Sequence, residues 1–243
     1  MRSLSIFSLG IALLSVATSL PVYADIIVSY GVFPYSDADS GVRDSVAGAT
    51  TLTGVTGIDM TRGGGLQYTP TNNAFNSDNW ATNLDGDPTV LNPNGYVEIG
   101  FALDPGYSAT LDELIIGTRS STSGPSQIGV FASTDGFTTA IATIDEDSNF
   151  SNSIISLASI GTVTGDFRLR FLNVGGVTPA SPSIPGEEDM DEDSTWRIIS
   201  HFDSGTFTDP QITGVVAVPE PASLTALTLC GLAGMVRRRR RVS

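Results

Sequence analysis

Short stretches of alternating apolar and polar residues, rich in β-branched side chains, run along the chain from residue 25 to residue 217. Glycine, proline, asparagine, aspartate and serine separate them, and no apolar repeat of helical period is evident between them. Because successive side chains of a strand point to opposite faces, this pattern is typical of strands with one buried face. The sequence therefore predicts an all-β fold, a jelly-roll-like antiparallel β-sandwich.

The pattern predicts ten strands, at residues 26–30, 51–59, 96–103, 111–118, 127–133, 138–144, 153–160, 166–174, 195–202 and 210–217. The third and the eighth alternate most regularly, and we expect one core to contain both of their apolar faces: Val97, Ile99, Phe101 and Leu103, and Phe167, Leu169 and Phe171. Residues 61–95 and 178–194 lack this alternation and are rich in polar or turn-forming residues. Both are predicted to be irregular loops, apart from a few strand-like residues near Leu66.

The first 24 residues have the order of a secretory signal peptide. Arg2 provides a positive start, residues 4–16 are mainly apolar, and Val22 and Ala24 have the spacing that signal peptidase recognises. We therefore expect cleavage between Ala24 and Asp25. The prediction divides the chain into a signal peptide at 1–24, a β-sandwich ectodomain at 25–217 and a sorting signal at 218–243.

The C-terminal segment combines an extended motif, an apolar stretch and an arginine cluster. Two prolines, Pro219 and Pro221, favour an extended backbone. The 13 residues from 224 to 236 would form a hydrophobic helix of about 20 Å, shorter than the roughly 30 Å of a bilayer core, so we expect a short, transient transmembrane helix. The arginines that follow are predicted to remain cytoplasmic and to stop transfer: Arg237, Arg238, Arg239, Arg240 and Arg241.

The order Val218-Pro219-Glu220-Pro221, hydrophobic helix and arginine cluster resembles the PEP-CTERM sorting signal. The resemblance implies that an exosortase recognises these four residues, removes the tail and delivers the ectodomain to the cell envelope, cell surface or extracellular matrix. It also implies a Gram-negative host that makes exopolysaccharide. The stretches at 119–125, 130–137 and 195–198 further resemble PEP-CTERM ectodomains with a jelly-roll-like scaffold, a likeness that implies no particular chemistry.

Charge and composition exclude several functions for the ectodomain. Six arginines against 25 acidic residues give residues 25–217 a formal charge of −19, which disfavours binding to nucleic acid. The chain has no lysine, its one cysteine is Cys230 in the tail, and its one histidine is His201. A zinc site of several histidines or cysteines, Schiff-base chemistry and a P-loop are therefore excluded. We interpret His201 as a strand residue near Trp196. The alternative is that His201 and Asp203 belong to a Ser-His-Asp catalytic triad.

Calcium is the metal that the acidic loops favour, because it takes six to eight oxygen ligands. The candidate ligands are Asp85 and Asp87 in one loop, and Glu187, Glu188 and Asp189 in another. The alternative for both loops is that their acidic side chains are simply solvated.

Trp80 is the candidate for glycan binding, because it stands among polar residues and an exposed indole can stack on a sugar ring. The alternative is that Trp80 closes one end of the sandwich. We therefore predict a non-catalytic surface or matrix protein in contact with exopolysaccharide, and, as the sharper version of this prediction, a glycan-binding module assisted by Ca²⁺. The alternative function is a secreted polysaccharide hydrolase, which needs two carboxyl groups about 5–10 Å apart. Glu98, the one acid inside a regular strand, is interpreted as a surface residue rather than a catalyst.

Overall fold

The structure is a computed structural model, and it describes residues 24–32, 44–71, 73–80, 93–146, 148–177 and 195–217. Across these residues the chain is all-β, as predicted, and its only helical elements there are two 3₁₀ turns at Ser133–Asp135 and Ala158–Ile160. The strands are β1 (Asp25–Tyr30), β2 (Ser45–Val46), β3 (Gly48–Ala49), β4 (Val55–Arg62), β5 (Gln67–Tyr68), β6 (Phe75–Asp78), β7 (Tyr96–Leu103), β8 (Ser108–Ser120), β9 (Pro125–Ala132), β10 (Ala140–Asp145), β11 (Ser151–Ser156), β12 (Thr162–Val163), β13 (Asp166–Val177), β14 (Trp196–Ile199), β15 (His201–Asp203), β16 (Thr206–Thr208) and β17 (Gln211–Ala217).

Within the described ranges, the strands form two large antiparallel sheets and one separate hairpin. One sheet has nine strands, in the order β3-β1-β17-β8-β14-β6-β5, with β11 and β12 also paired to β8. The other has six strands, in the order β10-β9-β13-β7-β4-β2, and the hairpin consists of β15 and β16. Both large sheets contribute buried apolar side chains to one core, which is the arrangement of a β-sandwich. The jelly-roll order of connections stays a prediction.

The centre of the six-stranded sheet confirms the expected core. Strands β7 and β13 pair directly, with Ile99 opposite Leu169 and Phe101 opposite Phe167. All seven apolar side chains predicted to face the core are buried. The rings of Phe101 and Phe167 lie 5.5 Å apart between centroids, so the pairing contributes both area and aromatic contact.

Strands β14 and β17 lie along the same edge of β8. Residues 196–199 pair with 120–117 of β8, and residues 211–217 pair with 115–108, while β11 occupies the opposite edge. The chain therefore runs beside β8 as one interrupted strand, and residues 200–210 leave the sheet between its two halves. This excursion contains the hairpin β15–β16.

Because Gly117 of β8 has no side chain, the backbone at Ser200 can pass close to this strand. A Cβ atom at this position would lie 2.4 Å from the carbonyl oxygen of Ser200 and 2.8 Å from its carbonyl carbon, distances that no side chain can occupy. The absence of a side chain at Gly117 thus sets how near the hairpin approaches the sheet.

Several predicted boundaries need correction. The strand predicted at 51–59 is observed as β4, four residues later at its start, and the one predicted at 195–202 is divided between β14 and β15. The strand predicted at 153–160 ends at Ser156, where a 3₁₀ turn follows. The segment 61–95, predicted to be irregular, contains β5 and β6, whose polar residues hid the alternation because β6 buries Asn76 and Ser77.

Several predicted segments lie outside the described residues. They are residues 1–23 of the signal peptide, the acidic loop at 178–194, and the sorting tail from 218, including its hydrophobic helix. Among the residues that are described, no helix is long and apolar enough to cross a membrane.

Candidate functional site

A cavity of about 480 Å³ opens beside strand β14 of the nine-stranded sheet. Its position follows from alternation: Trp196 and Ile198 are buried in the core, so Arg197 and Ile199 point to the outer face. We call this cavity the outer pocket, and its lining residues are Asn73, Phe150, Asn152, Arg197, Ile199, Ser200, Phe202 and Phe207. Its volume is within the range of about 300–1,000 Å³ that is usual for small-molecule sites.

Two arginines stand side by side, Arg197 in the lining of the outer pocket and Arg119 next to it on β8. Arg119 of β8 and Arg197 of β14 are register partners, so their side chains project from the same face. The Nε of Arg119 donates to the carbonyl oxygen of Ser148 at 2.8 Å, and a terminal nitrogen of Arg197 is 3.4 Å from the hydroxyl of Thr71. Neither arginine forms an ion pair with a carboxylate in the part of the chain that the structure describes.

Arg197 lies in an electrostatically unfavourable position. Its Nε is buried and has no hydrogen-bond partner among the described residues. Burial lowers the pKa of Arg197, and the positive charge of Arg119 lowers it further. An anion placed between the two guanidinium groups would offset the repulsion between their charges.

Exposed phenylalanine rings share the outer pocket with Arg197. Phe150, Phe202 and Phe207 are 68%, 47% and 51% exposed, respectively. The rings of Phe202 and Phe207 lie 4.7 Å apart between centroids, and the guanidinium of Arg119 lies 4.9 Å from the centroid of Phe150. Exposed apolar side chains gathered at one cavity are typical of a binding site.

Asn152 attaches the hairpin to the sheet. Its register partner on β8 is Gly117, so its side chain projects over the same outer face. The Oδ1 of Asn152 accepts a hydrogen bond from the backbone amide of Phe202 at 3.0 Å, and its Nδ2 donates to the Phe202 carbonyl oxygen. This double hydrogen bond fixes Phe202 at the wall of the outer pocket.

Trp80, the sequence candidate for stacking on a sugar, does not present its ring to solvent. The side chain is 1% exposed, and its ring meets that of Trp196 edge-on at 5.2 Å between centroids. The indole N–H donates to the carbonyl oxygen of Ser77 at 2.8 Å. The ring is therefore part of the core. This corrects the expectation of an exposed Trp80 and agrees with the alternative that its ring packs inside the sandwich.

Glu98 is also not the surface residue that the sequence predicted. It is 5% exposed, because Arg168 and Arg170 of the neighbouring strand enclose its carboxylate. Arg168 donates to Oε1, and Nε of Arg170 donates to Oε2 at 2.7 Å. The hydrogen bond to Glu98 raises the pKa of Arg168, so this triad is a tightly paired ionic group.

A second buried carboxylate, Glu146, was not singled out by the sequence. It is buried, and its Oε1 accepts a hydrogen bond from the indole N–H of Trp196 at 2.8 Å. His201, as predicted, is a strand residue, in β15, and the Asp203 carboxylate accepts a hydrogen bond from the Ser204 hydroxyl at 2.9 Å.

The remaining predicted sites fall on residues that the structure does not describe. These are the calcium candidates Asp85, Asp87, Glu187, Glu188 and Asp189, the motif Val218 to Pro221, and Arg237 to Arg241. Among described residues, no group of three or more histidine, cysteine, aspartate or glutamate side chains could hold a metal ion. Ala24 and Asp25, at the predicted cleavage point, are both exposed at the start of β1.

Sequence reasoning missed the outer pocket. The alternation of Trp196, Arg197 and Ile198 does indicate that Arg197 points away from the core. Its other members come from separate segments, and only the pairing of β8 with both β11 and β14 brings them together. That alternation was the one signal available in the sequence.

Comparison with known proteins identifies the C-terminal segment. The family model described as the PEP-CTERM protein-sorting motif matches residues 217–241, which include the predicted motif and the arginine cluster. No curated protein sequence matches the chain. The chain therefore carries a PEP-CTERM motif, which marks an exported protein of the cell envelope or surface that is targeted to exosortase.

Proposed function

We propose that this PEP-CTERM protein is a non-catalytic surface protein whose β-sandwich domain binds glycan in the outer pocket. The observation that carries the proposal is the grouping of Phe150, Phe202 and Phe207, all substantially exposed, at one cavity. Aromatic faces pack on the C–H faces of sugar rings, and nearby polar side chains can bind the hydroxyl groups. An exopolysaccharide outside the cell is the partner that this site and the sorting motif together favour.

The described residues place no free carboxylate at the pocket, which supports a binding role over a hydrolytic one. None of the described lining residues is acidic. Glycoside hydrolysis by the usual mechanism needs two carboxyl groups on either side of the scissile bond. The buried carboxylates on the described strands and loops are engaged elsewhere: Glu98 by two arginines and Glu146 by Trp196.

The binding role is tested with the full-length chain, purified in mild detergent. Titration calorimetry against neutral and acidic oligosaccharides should show binding, and an assay for new reducing ends should show no cleavage. The double variant Phe150→Ala/Phe202→Ala should weaken binding at least tenfold, because about 1.4 kcal/mol of stacking is lost. Ile154→Ala is the matched control, since Ile154 is an exposed residue of β11 outside the pocket lining.

Two results would contradict the proposal. Binding that survives the double phenylalanine variant would place the glycan elsewhere on the protein. Release of reducing ends by the wild-type chain, lost on mutation of a carboxylate, would favour the polysaccharide hydrolase.

Export is tested separately in cells that contain an exosortase. Mass spectrometry of the mature protein should find Asp25 as its first residue and no peptide containing the arginine cluster. Retention of Arg237 to Arg241 in surface-exposed protein would contradict processing of the tail.

A further inference from the structure

We propose that the sugar in the outer pocket carries a single carboxylate, as a uronic acid does, and that Arg119 and Arg197 bind this carboxylate jointly. The inference rests on the proposed function and specifies its ligand. Two neighbouring guanidinium groups on one sheet face, beside exposed aromatic rings, are the features on which it depends.

Charge is the first argument. Of the 25 acidic side chains in residues 25–217, 14 belong to the described residues. Arg168 and Arg170 both pair with one of these, Glu98. Arg119 and Arg197 do not pair with a carboxylate of the described residues, although they are adjacent and repel each other. Two cations held together in this way provide favourable potential for an anion.

The donor geometry is the second argument. Arg197 belongs to the lining of the outer pocket, and a terminal nitrogen of its guanidinium is 3.4 Å from the Thr71 hydroxyl, a long hydrogen bond. Guanidinium groups bind carboxylates through two parallel N–H donors, so a carboxylate in the pocket supplies acceptors of suitable geometry.

The net charge of the domain selects the type of anion. Carboxylate, sulfate and phosphate groups all bind guanidinium. A formal charge of −19 opposes each additional negative charge that approaches, so a dianionic phosphate is disfavoured relative to a monoanion. For the same reason we expect an isolated carboxylate on an otherwise neutral saccharide to bind better than a dense polyanion.

The sugar ring that carries the carboxylate also has a place in the outer pocket. The rings of Phe202 and Phe207 form one wall, and Phe150 lies under Arg119. A pyranose that directs its carboxylate toward the two arginines can pack a C–H face on these rings. The combination of anion and apolar ring face is the reason to name a uronic acid sugar.

The test uses titration calorimetry with the full-length chain and a pair of ligands that differ only at C6. Methyl β-D-glucuronide should bind about tenfold more tightly than methyl β-D-glucoside at low salt, because charge-assisted hydrogen bonds are added, and the difference should shrink as salt rises. Arg197→Gln and Arg119→Gln should each reduce this preference to about threefold or less, while the glucoside still binds. Arg197→Lys, which keeps the charge but loses the planar fork, should give an intermediate preference.

Arg168→Gln is the matched control, because it removes the same charge on the other sheet and should leave the preference unchanged. Melting curves of each variant establish that the protein is folded. If glucuronide and glucoside bind equally, the carboxylate inference fails and the glycan-binding function stands. If neither binds, both fail.

Three further ligands distinguish the sources of the anion. Tighter binding of glucose 6-phosphate or glucose 6-sulfate than of glucuronide would overturn the choice of a carboxylate. Binding of benzoate as tight as that of glucuronide, with no binding of glucoside, would show that the pocket selects aromatic acids and would overturn the choice of a sugar.

Discussion

The hydroxyl of Tyr30 accepts a hydrogen bond from the backbone amide of Gly100 at 2.7 Å. The carbonyl oxygens of Ile58 and Gly100 both lie 2.9 Å from the same hydroxyl and can accept its proton. Tyr30 belongs to β1 of the nine-stranded sheet, whereas Ile58 and Gly100 belong to β4 and β7 of the six-stranded sheet. One side chain therefore crosses the core and connects the two sheets through their backbone.

Removing this hydroxyl should weaken the fold. Tyr30→Phe leaves the amide of Gly100 without its acceptor in a buried site, so we expect the free energy of unfolding to fall by about 1–3 kcal/mol. Urea denaturation measures the change. Tyr107→Phe, at a half-buried tyrosine, is the control and should change stability by less than about 0.5 kcal/mol. Equal losses for both variants would contradict a special role for Tyr30.

Alkaline pH should destabilise the protein in part through Tyr30. Burial raises the pKa of Tyr30 above its ordinary value of 10.0, so the folded chain keeps the phenol neutral while the unfolded chain ionises it. The stabilisation is complete below pH 10 and declines as the pH rises above it, toward the folded pKa. Unfolding measured between about pH 9 and pH 11.5 should show a shallower decline for Tyr30→Phe than for the wild type. Identical slopes would mean that other groups dominate.

The triad of Glu98, Arg168 and Arg170 should depend on its carboxylate. Glu98→Gln leaves two arginines side by side without their shared anion. We expect a loss of about 1–3 kcal/mol, less than for a fully buried pair because the arginine side chains are 36% and 27% exposed. Asp166→Asn is the control, since Asp166 is 65% exposed and 3.7 Å from Arg168, and it should cost less than about 0.5 kcal/mol.

Gly117 should determine both stability and binding. In Gly117→Ala, the new Cβ collides with the Ser200 backbone and must push the hairpin away from the sheet. We expect a stability loss of about 1–3 kcal/mol and weaker binding in the outer pocket, because Phe202 and Phe207 move with the hairpin. Gly64→Ala is the control, as a Cβ there meets nothing within 4 Å. A Gly117→Ala chain with normal stability would contradict the close approach.

Both described tryptophans should be shielded from solvent. Trp80 and Trp196 are 1% and 0% exposed, so acrylamide should quench the fluorescence of the native chain far less than that of the urea-unfolded chain. Trp80→Phe and Trp196→Phe allow each indole to be measured separately. Strong quenching of the Trp80 signal in the native state would restore the hypothesis that this ring binds sugar.

The sequence was sufficient for the class of fold and for its central pair of strands. The strand at 96–103 was predicted to the residue, because its inward positions are all large and apolar. Strands β2, β3 and β12 have two residues each, too few to show a period, and β6 buries polar side chains. Their formation depends on partners that are distant in the sequence, so local pattern does not reveal them.

The site was less predictable than the fold. From composition, the sequence predicts that acidic residues bind calcium and that Trp80 binds sugar. The outer pocket is instead lined by Arg197 and three phenylalanines, with Arg119 next to Arg197, and their grouping depends on which side of a strand each occupies and on what faces it. The burial of Glu98 is likewise not predictable from local sequence, because it results from two arginines on a neighbouring strand.

The interruption between β14 and β17 has an evolutionary consequence. Because both halves hold their register on β8 independently of residues 200–210, insertions or deletions in this excursion need not shift any sheet hydrogen bond. Descendants of such a gene could exchange one excursion for another and acquire a different specificity on an unaltered scaffold, much as antibody loops diversify on a shared framework.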